Sequence, residues 1–79
     1  MSKKLPALKP KIVLSTLLRV GFYVYHQKGS HIQLRHLTEK HLRVTIPMHS
    51  RFDLPPFVVS SILDQAEIAK SDFLNFLRK

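Results

Sequence analysis

Apolar residues recur along this chain first with helical spacing, then with strand spacing, then with helical spacing again. Between Lys11 and Val20, the apolar Val13, Leu14, Leu17, Leu18 and Val20 share one broad face, while Lys11, Ser15 and Arg19 stand four apart on the other. That spacing predicts an amphipathic helix with a basic outer stripe. Pro10 suits its first turn, and Gly21 can take the left-handed conformation that stops it. Phe22 to Gln27 is rich in strand formers, and Lys28-Gly29-Ser30 after it reads as a tight turn. The return arm, His31 to Leu37, puts Ile32 and Leu34 on one face and His31, Gln33 and Arg35 on the other. After a polar turn over Thr38 to His41, Leu42, Val44 and Ile46 again alternate with Arg43 and Thr45. Pro47 ends this third strand.

Helical spacing then returns. Asp53, Pro55 and Pro56 precede a helix whose apolar face is Val58, Val59, Ile62, Leu63 and Ala66. Ser71-Asp72 reads as the cap and first turn of a short last helix carrying Phe73, Phe76 and Leu77. Residues 1–8 lack periodicity and read as a basic arm docked by Leu5 and Leu8. The expected fold is an α+β two-layer sandwich of order α-β-β-β-α-α, in which a three-stranded antiparallel sheet carries helices on one face. Double-stranded-RNA-binding domains share this element order and recognise A-form helices through shape, phosphates and 2′-hydroxyls.

Length bounds the organisation: 79 residues support one core and so one domain, 1–79. Without cysteine there is neither a disulfide framework nor a thiolate zinc site. No apolar run approaches a membrane span, and the basic start lacks the apolar stretch of a signal peptide, so the expected location is the cytoplasm, away from membranes. Charge changes the picture most. Thirteen Lys and Arg stand against five Asp and Glu, a net +8. The excess is segregated: residues 1–51 hold ten basic and one acidic side chain, the remaining 28 three and four. A positive front before a near-neutral tail points to a polyanion, with nucleic acid favoured over a surface made basic for solubility.

Five histidines are many for this length. His31 opens a strand directly after Lys28-Gly29-Ser30, on the wet face with Gln33 and Arg35, where its ring has the cationic neighbours a phosphodiester needs. RNA carries its own nucleophile, the 2′-hydroxyl, so cleavage requires proton transfer and charge stabilisation but no metal or cofactor. An imidazole, with an ordinary pKa of about 6.5, suits that task, and Lys28 or Arg35 can supply the charge. Equally, His31 can simply open a strand in a binding module. His49, in Pro47-Met48-His49-Ser50, is a second proton-transfer candidate, an RNA contact or a loop hydrogen bond. His26, His36 and His41 receive no role. The separation of His26 from His31, read as strand alternation, sets them on opposite faces and argues against a shared metal. One acid in the first 51 residues argues against a magnesium-dependent nuclease. Tyr23 and Tyr25 can stack on bases or cover the sheet.

Gly21-Phe22 after the first helix, Gln27-Lys28-Gly29-Ser30-His31, Thr45-Ile46-Pro47-Met48-His49, Ser61-Ile62-Leu63 with Ala66, and Phe73 together resemble the HicA-like (YcfA-like) toxin family over about residues 5–77. The resemblance implies a ribosome-independent mRNA interferase, a metal-free endoribonuclease of a type II toxin–antitoxin system that inhibits translation. It implies His31 as the required histidine; from the charge, turn and helix-stripe readings above, Lys28, Gly29, Ser30, Arg35, His49, Lys11 and Arg19 are expected to bind RNA or shape the site. The implied partners are mRNA and a HicB-type antitoxin that covers the active-site region, the pair repressing its own operon and so meeting operator DNA. Two departures from the family pattern affect element boundaries. Thr38-Glu39-Lys40-His41 replaces an Asp-Gly-type turn, predicting a longer loop, and Glu67 and Ala69 replace the Gly and Ser that separate the last two helices, predicting a blurred break. Two rival readings are a non-catalytic RNA-binding module and a DNA-binding or protein-interaction module.

Overall fold

The structure, a computed structural model, describes residues 5–48 and 51–78. Its order is α1 (Pro10–Arg19), β1 (Phe22–Lys28), β2 (His31–His36), β3 (Arg43–Pro47), α2 (Pro56–Ala66) and α3 (Lys70–Leu77). The strands form one antiparallel sheet in the order β1-β2-β3. The α+β architecture expected from the spacing is the one observed.

Alternation explains which face is covered. Ile32 and Leu34 of β2 pair with Ile46 and Val44 of β3, and all four are buried. They meet Val13 and Leu17 of α1, Val59, Ile62, Leu63 and Ala66 of α2, and Phe73 of α3 in one core. Leu5 joins that core, and Leu8 bridges to Leu54 on the segment before α2, so the arm is docked as expected. Residues 1–4 of the arm lie outside the described residues.

The two sheet edges differ. On β3, the Thr45 backbone N–H donates to Oε1 of Gln65, so α2 closes that edge. On β1, a bulge between Val24 and His26 shifts the register by one residue, twisting the strand in the manner that discourages edge pairing. β1 buries Phe22 but leaves Tyr23, Val24 and Tyr25 exposed.

Several boundaries depart from expectation. β2 stops at His36, and Leu37 is exposed in the loop to β3, which is long as the missing Asp-Gly turn suggested. α3 begins at Lys70 with Ala69 at its N-cap and no side-chain cap, so Ser71 is inside the helix rather than before it. The break between α2 and α3 is sharp, not blurred: Glu67 takes the left-handed conformation at φ 56°, and the N–H groups of Glu67 and Ile68 donate to the carbonyls of Asp64 and Leu63. That is the Schellman arrangement, formed here without glycine.

Candidate nucleic-acid interface

The outer face of the sheet is the surface that no helix covers. β1 presents Tyr23, His26 and Lys28 there, β2 His31, Gln33 and Arg35, and β3 Arg43 and Thr45, because these are the cross-strand partners in register. None of the three strands contains an acidic residue. Charge on this face is therefore of one sign.

At its open end, Lys28 and His31 are direct partners joined by the two-residue loop Gly29-Ser30. Gly29 adopts φ +58° while Ser30 stays out of the left-handed region, the pattern of a type II′ turn, whose first loop position favours glycine. Across the sheet His31 pairs with Pro47, and the Met48 N–H donates to the Ser30 carbonyl. His31 is exposed. The turn and the end of β3 thus hold its backbone on both sides, and the residue is exposed beside a lysine. The start of α1 reaches the same end, where Lys9, Pro10, Lys11 and Met48 line a pocket of about 230 Å³.

Further along the sheet, Arg35 lies over the Tyr25 ring, with Cζ 3.8 Å from the centroid. Tyr25 is the residue that the β1 bulge leaves without a cross-strand partner. Arg43 is the direct partner of Arg35, and Gln33 that of Thr45. These five residues line a depression of about 210 Å³ on the outer face. Sequence reasoning placed Arg35 at the site but gave Arg43 no role.

The opposite end of the molecule has another character. A cleft of about 360 Å³ is lined there by Glu39, Glu67 and Asp72 together with His36 and His41. Three of the five acids in the chain gather at this cleft, and His41 Nε2 sits 3.2 Å from Glu67 Oε2. These acids therefore gather at this cleft, while the outer face and the His31 end keep the cations.

The sequence-derived site residues divide accordingly. Lys28, Gly29, Ser30, His31 and Lys11 come to one end, and Arg35 to the outer face beside them. Arg19 does not join them: at the far end of α1 its guanidinium donates to the Phe76 carbonyl, 2.8 Å away, tying α1 to α3. His49 lies outside the described residues. Contrary to the expectation from alternation, His26 and His31 do not face apart, since His26 pairs with Gln33 and so shares the outer face with His31. Strand alternation failed there because the bulge adds one residue between them. No group of three potential metal ligands forms among the described residues.

His36 carries a task that its sequence position did not reveal. Its Nδ1 accepts from the N–H groups of Thr38 and Glu39, so its Nε2 donates to the Val20 carbonyl at 2.9 Å. The ring meets Phe22 edge-on and lies against Gly21. A signal was available in the inward parity of His36 behind Ile32 and Leu34.

Comparison with known proteins now adds to this geometry. The chain matches the family described as HicA toxin of bacterial toxin-antitoxin over residues 11–68, from the first turn of α1 to just beyond α2. The chain belongs to the HicA toxin family. No curated protein matches it. HicA toxins belong to toxin–antitoxin systems, so a cognate antitoxin is implied as partner. The HicA match includes the whole hairpin from Lys28 to Arg35, whereas α3 lies beyond it. No described helix is long and apolar enough to cross a membrane.

Proposed function

We propose that this HicA-family chain is an endoribonuclease acting on mRNA, with His31 as its proton-transfer residue and no requirement for a metal. The observation that carries this reading is the position of His31. It is exposed at the first position of β2, with Lys28 as its direct partner, at the end of a sheet face that holds cations and no acids. Membership of the HicA family supports the same reading.

The chemistry needs little apparatus. His31 accepts the proton of a ribose 2′-hydroxyl, the 2′-oxygen forms a bond to the adjacent phosphorus, and the bond from phosphorus to the 5′-oxygen breaks. Lys28 stabilises the negative charge that builds on the phosphorane oxygens. A proton delivered to the departing 5′-oxygen leaves a 5′-hydroxyl on one fragment and a 2′,3′-cyclic phosphate on the other. His49, two residues beyond the partner of His31, is the candidate donor. Gly29 and Ser30 shape the turn, while Lys11 and Arg35 bind flanking phosphates. A HicB-type antitoxin neutralises the toxin by covering this face, and cleavage of mRNA in its absence halts translation.

The test compares wild type with His31→Ala on a long mRNA in EDTA at low salt, reading fragments and their ends. Cleavage by wild type only, with cyclic phosphate ends, supports the assignment. Equal binding by both proteins with intact RNA would instead make the chain an RNA-binding module.

A further inference from the structure

The sheet places Arg35 and Arg43 directly opposite one another, although like charges in that relation destabilise a sheet. No acid offsets them on the outer face, for the strands contain none. The described carboxylate ion pairs, Lys9–Asp53 and His41–Glu67, lie elsewhere. Arg35 is also pre-positioned. The β1 bulge delivers the Tyr25 ring beneath its guanidinium, and such stacking holds the planar head in place while leaving its donors free to bind. Between the arginines lies the depression whose remaining polar side chains, Gln33 and Thr45, add neutral donors.

We propose that Arg35 and Arg43 form a cradle for a backbone phosphate of the RNA strand, separate from the phosphate that is cleaved. The proposal rests on the RNA reading above and extends it to Arg43. A phosphate diester fits the cradle because its two anionic oxygens can each accept from one guanidinium, and the exposed aromatic ring alongside favours a nucleotide over a protein carboxylate. The half-exposed Tyr25 ring beside it offers a neighbouring base a stacking surface. Arg35 stands four positions beyond His31 on β2, about 13 Å at the rise of a strand. A bound strand is thus gripped away from the reacting bond. Arg43 is a positioning residue rather than a catalytic one.

The experiment measures binding of a fluorescein-labelled single-stranded RNA by anisotropy across a salt series, in the His31→Ala background so that the RNA stays intact. Arg43→Thr should weaken binding about tenfold and lower the slope of log affinity against log salt by roughly one. Arg43→Lys should restore the slope but only part of the affinity, since it keeps the charge and loses the fork. Without RNA, Arg43→Thr should melt higher than its parent because the opposed charges are gone, which also shows that it folds. With His31 intact, the same substitution should raise KM and leave kcat unchanged. Unchanged affinity and salt slope in both Arg43→Thr and Arg35→Gln would overturn the proposal, as would loss of antitoxin binding with RNA binding intact. If the protein with His31 intact binds RNA through Arg43 yet never cuts it, the cradle stands and the nuclease reading falls.

Discussion

His36 Nε2 donates to the Val20 carbonyl at 2.9 Å, tying the inward edge of β2 to the last turn of α1. The other ring nitrogen accepts from the Thr38 and Glu39 N–H groups, which organises the start of the β2–β3 loop. Replacing the ring leaves three backbone groups without their partner. His36→Ala should cost about 2 kcal/mol of stability, read as a lower urea midpoint, while His31-dependent cleavage by the remaining folded protein is unchanged.

The two glycines should answer very differently to alanine. At Gly21, φ is +104° and an added Cβ would come within 2.6 Å of His36 Nε2, so both backbone and space forbid it. Gly29, at φ +58°, has nothing within 4 Å of that position. Gly29→Ala should therefore cost about 1 kcal/mol, and Gly21→Ala about 3 kcal/mol, because the latter also disturbs the His36 bonds. Parallel urea titrations would check the ranking, and equal losses would refute it.

Glu67 holds the left-handed position at the end of α2 that glycine usually fills. Glu67→Gly should raise stability by about 1 kcal/mol through relief of that strain. The contact it loses, to His41, is largely exposed and contributes little. A fall in melting temperature would show instead that the His41 contact matters more than the backbone.

Phe73 is fully buried although its helix lies beyond the residues that match the family. Phe73→Ala should cost about 3–5 kcal/mol, most of the stability available to a domain this small. Far-ultraviolet circular dichroism with denaturant would detect it. A small loss would mean that α3 merely covers a core complete without it.

For His31, exposure separates chemistry from folding. His31→Ala should reduce cleavage by about 10²- to 10⁴-fold at unchanged melting temperature. A drop in activity matched by a drop in melting temperature would assign the loss to structure.

Much of this molecule was legible in its apolar spacing. Val13 with Leu17, Ile32 with Leu34, Val44 with Ile46, and Val59 with Ile62 and Leu63 repeat at the periods that helices and half-buried strands require, and all became core. The Lys28-Gly29-Ser30-His31 turn was legible too, because glycine at a two-residue loop has a local physical reason. The bond from Arg19 to the Phe76 carbonyl was not legible, because an exposed basic residue on a helix gives no local sign of a partner 57 residues away.

Local periodicity and charge segregation, which depend on neighbours in the chain, determined the elements, their inward faces and the basic front of the molecule. Long-range register decided the rest. Only pairing of the strands showed that one inserted residue, Tyr25, turns His26 onto the face of His31 and brings its own ring beneath Arg35. Only pairing set Arg35 against Arg43. Such relations are absent from local pattern because a cross-strand partner is chosen by the whole sheet, and a one-residue shift would change every one of them.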